Sequence, residues 1–177
     1  MMPEDTGRDA ALVEQARGGD AAAFDQLHRK FARSVHSVLL ARLSPGEAED
    51  LTQEVFLSAF KRLGDLQDAL AVGPWLHAMA RNAATDFLRA RGRRPRTEPL
   101  PELARREGPD DELRARTLWH IQGLPEAYRE TLVMRLVDGV TGPEIAEATG
   151  LSPASVRVNL HRGMEMLRER LRKDGWE

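Results

Sequence analysis

Apolar residues recur at three- and four-residue spacing along most of the chain, the period of helices that bury one face. The pattern predicts helices near residues 8–17, 21–43, 46–63 and 74–92, and again near 111–122, 125–138, 142–149 and 152–173. Gly18-Gly19-Asp20, Ser44-Pro45 and a loop over 64–73 punctuate the first four. No run alternates with the two-residue period of a half-buried strand. Ser44 and Glu47 form a capping box. Pro45 takes the first helical position, where a missing N–H costs nothing, so this helix start is well specified.

The last third carries the sharpest local pattern. Thr141 can cap a short helix that Pro143 enters in its first turn; Gly150 can end it by taking positive φ, and Ser152-Pro153 starts the next. Two helices crossing steeply result, the spacing of a helix-turn-helix. Ile145, Val156, Leu160, Met164, Leu167 and Leu171 define a buried stripe, and Ala146 is small where the helices must approach. The other face carries Ser155, Arg157, Val158, Asn159, His161 and Arg162. These supply donors, acceptors and a methyl surface for base edges, and cations for phosphates, on a helix that fits the major groove. A helical hairpin in an ordinary bundle shares this spacing, so the motif alone leaves both readings open.

Between the helical stretches, residues 93–110 hold Pro95, Pro99, Pro101, Gly108 and Pro109 among charges, with no sustained apolar period, apart from a short helix around 102–106. The expected fold is therefore all-α: two small helical domains, 8–92 and 111–173, joined by a flexible linker. A chain of 177 residues with 41% hydrophobic content suits two small cores. The absence of cysteine excludes disulfides, thiolate zinc sites and cysteine nucleophiles. The five histidines are scattered; His28 and His36 share a helix without a third ligand and read as packing or solvent-facing residues, so no metal is expected. No nucleophile and base, glycine-rich phosphate loop or cofactor motif is visible, which argues against an enzyme, a small-molecule substrate or a cofactor. Residues 1–9 lack the apolar core of a signal peptide, and no apolar run approaches the roughly 20 residues of a membrane span, so a cytoplasmic protein without direct membrane insertion is expected.

A net charge of −2 hides a strong segregation. Glu47, Glu49, Asp50 and Glu54 crowd the start of one helix, whereas Arg81, Arg89, Arg91, Arg93, Arg94 and Arg96 crowd another and its exit. The basic stretch suits a phosphate backbone; the acidic one suits a basic protein surface or complements its own helix dipole.

Three stretches in order then carry a family resemblance: Ala48-Glu49-Asp50-Leu51-Thr52-Gln53-Glu54-Val55-Phe56-Leu57, Trp75-Leu76-His77-Ala78-Met79-Ala80-Arg81-Asn82 with Asp86 and Arg89, and the helix-turn-helix. Together they resemble an extracytoplasmic-function (ECF) sigma factor of bacterial RNA polymerase, over nearly the whole chain. The resemblance implies a sigma-2-like domain at 8–92 and a sigma-4-like domain at 111–173. It implies that Asp50, Gln53, Glu54 and Phe56 dock on core RNA polymerase, with Leu51 and Val55 left to the core. It implies that the 74–92 helix and the loop before it engage the minus-10 element of promoter DNA, through Arg81, Asn82, Arg89, Arg91, Arg93 and Arg94 on the helix and its exit. Asp65, Gln67 and Asp68 would contact an unstacked base, Asp86 would orient an arginine, and Trp75 would pack in the core rather than stack on DNA. On the helix from Ser152, Ser155, Arg157, Val158, Asn159, His161 and Arg162 would read the minus-35 element. Control by an anti-sigma factor also follows. Acidic residues of the linker region, Glu98, Glu102, Glu107, Asp110, Asp111 and Glu112, would either occupy a nucleic-acid channel or simply solvate a tether.

The chain departs from the family pattern in two places. Val158, Asn159, Gly163 and Met164 stand where many relatives carry further arginines, and Gly163 costs roughly 1 kcal/mol in a helix interior unless a close approach uses its missing side chain. Val72 stands in the loop where an aromatic is common. A sigma mimic that sequesters an anti-sigma factor, and a stand-alone helix-turn-helix regulator, are the alternative functions; the first leaves the arginine-rich stretch without a purpose and the second leaves the Asp50 stretch without one.

Overall fold

The computed structural model describes residues 3–92 and 109–175. Their helices are α1 (Pro3–Arg17), α2 (Ala21–Leu40), α3 (Pro45–Arg62), α4 (Val72–Ala90), α5 (Pro109–Gln122), α6 (Glu126–Leu136), α7 (Gly142–Thr149) and α8 (Pro153–Lys173). Two 3-10 turns, Leu63–Asp65 and Ala69–Ala71, lie between α3 and α4, and no strand occurs among the described residues.

Polar caps set most of the helix starts. The Asp20 carboxylate accepts from Ala22 N–H at 2.9 Å and Ala23 N–H at 3.2 Å, satisfying donors that have no partner within the first turn of α2. At α3 the capping box is closed by Ser44 N–H donating to Glu47 at 3.0 Å, with Pro45 in the first turn. A second box opens α7, where Thr141 N–H donates to Glu144 at 2.8 Å. Gly150 ends α7 at φ 72°, a left-handed conformation costly for a residue with a Cβ, and the Ser152 hydroxyl caps α8 by accepting from Ser155 N–H at 3.1 Å.

Two boundaries differ from the periodic expectation. The apolar period runs on through Leu43, yet α2 stops at Leu40. Helical bonds persist one turn further, from Ala41 N–H to the Ser37 carbonyl and from Leu43 N–H to that of Leu39, while the Leu40 and Leu43 carbonyls accept from the Gln122 amide of α5 at 2.6 and 2.8 Å. A local pattern carries no sign of a partner some 80 residues away. At the other boundary, Val72 is the buried first residue of α4, not a loop residue. Beside it Gly73 lets α4 lie against α2, because a Cβ there would come within 3.1 Å of the Phe31 ring.

In the first half of the chain α1 to α4 enclose Leu12, Val13, Leu27, Val35, Val38, Leu51 and Leu76. In the second half α5 to α8 enclose Ile121, Leu124, Leu132, Met134, Ile145, Val156 and Leu167. Leu160, Met164 and Leu171 pack against this core, completing the stripe read from the sequence. Gly163 is where α8 crosses α6: a Cβ would lie 2.9 Å from Leu132 Cδ1 and 3.2 Å from Tyr128 Cβ. The propensity cost of that glycine is thus exchanged for a close helix–helix approach. The two halves are also docked on each other, α2 on α6 and α4 on α7.

Candidate nucleic-acid interface

The outer face of α3 follows directly from its helical phase. Ala48, Leu51, Val55, Phe56 and Ala59 point into the bundle, which leaves Asp50, Gln53 and Glu54 in solvent on one side of the helix. Leu51 and Val55 are core, as expected. Phe56 is not available for docking: it is 4% exposed, with its ring edge-on to His28 at 4.4 Å and to Phe24 at 6.5 Å. Its place on the outer face is taken by Leu57, 64% exposed, one residue further round the helix. Glu47 serves the helix instead, bonding Ser44 N–H and pairing with Arg91.

Past α3, the chain builds an open cavity of about 670 Å³ lined by Phe60, Leu63, Gly64, Leu66 and Gln67, with Ala16, Arg17 and Gly19 of the α1–α2 corner on its other side. Phe60 is half exposed and sits edge-on to Phe24 at 4.9 Å. Of the loop residues named from the sequence, only Gln67 lines this cavity. Asp65 is exposed and pairs with Arg62 at 3.1 Å. The Asp68 carboxylate caps the next turn by accepting from Leu70 N–H at 3.0 Å, so one of its oxygens is already in use. Phe60 and Arg17 were not anticipated. Phe60 does leave a trace in the sequence, an aromatic falling on the polar phase of α3, whereas Arg17 leaves none, since it reaches the loop only through tertiary packing.

On α4, Asn82 and Arg89 are exposed, and Asp86 accepts from Arg89 at 3.3 Å, the orienting contact expected of it. Arg91 is exposed and held by Glu47. Trp75 is partly buried against the core. Arg93 and Arg94 lie outside the described residues, as do the acidic residues expected at 98, 102 and 107 and the short helix around 102–106. Asp110, Asp111 and Glu112 belong to α5 and not to a linker.

Arg81 was expected to face DNA and instead points at the second half of the chain. Its guanidinium donates to both oxygens of Glu130 on α6, at 2.8 to 3.2 Å. Arg42 reaches the same carboxylate at 2.7 Å and Glu126 at 2.7 Å. Burial by itself would raise the Glu130 carboxyl, but the hydrogen bonds and charges of Arg81 and Arg42 outweigh it and hold the group below the usual glutamate range. Beside this cluster His77 is fully buried and hydrogen-bonds with Ser34 at 2.9 Å; burial first, and the neighbouring Arg81 cation second, lower its pKa to about 4. Ser37 donates to Asp138, and Arg33 lies 3.5 Å from the same carboxylate.

The second half presents the helix-turn-helix. On α8, Ser155, Arg157, Val158, His161 and Arg162 are exposed on one side, with Glu165 3.5 Å from His161. The Ser155 hydroxyl lies 2.8 Å from that of the capping Ser152. Asn159 departs from this group: it is half-buried and its amide donates to the Ala127 carbonyl of α6 at 3.1 Å. A helix turns 100° per residue, which places position 159 toward α6 once Val156 and Gly163 are inside, so this amide is committed to the seam. Among the described residues no helix is long and apolar enough to cross a membrane, and no group of three acidic or histidine side chains could hold a metal ion.

Comparison with known proteins matches two stretches of the chain. The family description "Sigma-70 region 2" matches residues 27–94, and "Sigma-70, region 4" matches residues 121–167. The chain is 36% identical over 166 residues to the RNA polymerase sigma factor CarQ of Myxococcus xanthus, covering 90% of this chain and 95% of CarQ. It is 30% identical over 177 residues to the RNA polymerase sigma-H factor of Pseudomonas aeruginosa, covering 90% and 92%, and 27% identical over 179 residues to the ECF RNA polymerase sigma-E factor of Haemophilus influenzae, covering 92% and 95%. The fold is shared with CnrH, solved in complex with the cytosolic domain of CnrY, at a TM-score of 0.65 and 23% identity over 95% of this chain and 99% of that one. With the two regions matched in order along nearly full-length relatives, this chain belongs to the extracytoplasmic-function group of sigma-70 RNA polymerase sigma factors.

Proposed function

We propose that this sigma factor engages core polymerase and the two promoter elements through three separate faces of its two halves, and that it acts purely by binding, in the cytoplasm, with no catalytic centre of its own. Core RNA polymerase is taken by the outer face of α3, with Asp50, Gln53 and Glu54 accepting from basic side chains around the exposed Leu57. The minus-10 element is taken by Asn82, Arg89 and Arg91 of the α4 end, continued by Arg93 and Arg94, while an unstacked base enters the cavity beside Phe60 and Gln67. The minus-35 element is read by Ser155, Arg157, Val158, His161 and Arg162. The observation that carries this reading is the exposed outer face of α8, presented after a turn that only Gly150 at positive φ makes cheaply.

Promoter engagement requires the halves to part. The two elements lie about 25 base pairs apart, roughly 85 Å at 3.4 Å per step, whereas α4 here touches α7, the first helix of the helix-turn-helix. Residues 93–108 fully extended reach at most roughly 55 Å, and the helices on either side supply the remainder. Once the halves separate, Arg81 is released from Glu130 and joins the basic edge of α4. Control by an anti-sigma factor completes the reading. CnrH is solved in complex with the cytosolic domain of CnrY, and a protein partner of that kind that covered the α3 face or kept the halves together would silence the protein.

The test is transcription by purified bacterial core polymerase on fragmented DNA of the source organism, with and without this protein, mapping the RNA 5′ ends. Discrete new starts sharing two upstream elements are expected. Tight core binding without transcription would point instead to a sigma mimic, and no core binding would overturn the reading.

A further inference from the structure

Arg17, the last residue of α1, spends its guanidinium on the loop that rims the cavity beside Phe60. Its Nε donates to the Leu63 carbonyl at 3.2 Å and a terminal nitrogen donates to the Leu66 carbonyl, so one side chain staples both ends of the Leu63–Asp65 turn. The remaining terminal nitrogen is held by Glu14 at 2.5 Å, which fixes the planar fork from behind. Leu63 and Leu66 are buried, whereas Gly64, Asp65 and Gln67 are exposed. The stapled carbonyls thus bracket the part of the loop that faces solvent. Beside this staple, Leu66 N–H donates to the Leu63 carbonyl at a long 3.4 Å and Arg62 pairs with Asp65 at 3.1 Å.

We infer that Arg17 is a positioning residue for base selection, holding the 63–67 loop in the shape that receives an unstacked base while leaving the contact with that base to Phe60 and Gln67. The inference rests on the proposed capture of a base in this cavity. Without this fork the loop loses both hydrogen bonds to α1 and would have to be ordered each time a base entered, at the expense of affinity; a loop already fixed by a rigid fork presents the cavity ready-made. The apolar core beside Arg17 is made by Leu12, Val13, Ala16 and Leu27, while the guanidinium bonds the loop carbonyls and Glu14, so its loss is felt first in the loop.

The experiment uses the complete sigma factor bound to core polymerase and a fork-junction promoter probe taken from a mapped start, with the nontemplate minus-10 bases replaced one at a time by an abasic site. The readout is the ratio of affinities, intact over abasic, at each position. Stacking of a single base on an aromatic side chain is worth roughly tenfold or more in affinity, so the unmodified protein should show a ratio of that order at the captured position. Arg17→Ala should bring the ratio at that position close to one while leaving affinity for the abasic probe and for core polymerase unchanged. Arg17→Lys should keep an intermediate ratio, because an ammonium can serve one carbonyl but not bracket two. A merely structural role would lower both affinities together and leave the ratio intact, and that result, in either variant, overturns the inference. Should the unmodified protein show a ratio near one at every position, base capture in this cavity fails and the role of Arg17 falls with it. A large ratio in the unmodified protein that survives Arg17→Ala sinks the role of Arg17 alone.

Discussion

His77 and Gly163 are single residues whose surroundings set measurable quantities. His77 is neutral when folded, with its pKa lowered from the ordinary 6.5 to about 4, because burial and the Arg81 cation disfavour its charged form, against a smaller opposing pull from Glu130. The unfolded chain therefore binds a proton that the folded one refuses between those values. Stability conferred by the neutral ring is fully present above pH 6.5 and is lost as pH falls toward 4, a difference of about 3 kcal/mol. Chemical denaturation at pH 7 and at pH 5 should show about 2 kcal/mol of this loss, and His77→Gln should flatten the slope over that window by close to one proton. Glu130, with its lowered pKa, adds its own loss at lower pH, as pH falls through its folded value. At Gly163 the expected sign runs against helix propensity: Gly163→Ala gains roughly 1 kcal/mol of propensity but places a methyl 2.9 Å from Leu132 and 3.2 Å from Tyr128 Cβ. Overpacking of this kind costs about 1–3 kcal/mol, so a lowered urea midpoint is expected, and a raised one would show that α6 and α8 can move apart freely.

Within elements, phase decides which residues are structural and which are free to bind. Phe56 and Leu57 are adjacent in α3, and a 100° step round the helix takes one inside at 4% exposure and the other out at 64%. Phe56→Ala should cost about 3–5 kcal/mol of stability. Leu57→Asp should leave stability within about 0.5 kcal/mol and weaken core polymerase binding at least tenfold, measured by competition with unmodified protein. Equal effects of the two changes would deny α3 a docking face. On α8 the same phase rule separates Arg157 from Asn159. Arg157→Ala should weaken duplex minus-35 binding and reduce the slope of log affinity against log salt by about 0.9 if Arg157 holds one phosphate. Asn159→Ala should act on stability through the lost bond to the Ala127 carbonyl, by about 1 kcal/mol, with base preference unchanged.

At the scale of the whole molecule, charged and polar side chains link the two halves beside the α2–α6 and α4–α7 contacts. Glu130 of the second half is held by Arg42 and Arg81 of the first, and removing its charge leaves two neighbouring cations facing α6 without their shared carboxylate. Glu130→Gln should therefore open the molecule: small-angle scattering should give a larger radius of gyration than for the unmodified protein, and Arg81 should become available to DNA. A compact Glu130→Gln protein would assign the docking to the buried Gln122 and α4–α7 contacts instead. Gln122→Ala, which removes the donor to the Leu40 and Leu43 carbonyls, tests that alternative in the same measurement.

The sequence alone determined what depends on neighbours a few residues apart. Helix positions follow from apolar period and caps; the turn at Gly150 follows from the need for positive φ; the stripe Ile145, Val156 and Leu167 follows from helical spacing, and all are local rules. Leu51 and Val55 as core, and Asp86 as a partner for Arg89, were legible for the same reason. What only the tertiary structure decided are contacts between residues far apart in the chain. The Leu40 and Leu43 carbonyls meet Gln122, Arg81 meets Glu130, and the loop rimming the cavity meets Arg17. No periodicity encodes such pairings, because each is a meeting of side chains whose distance is set by how helices pack and not by how they form.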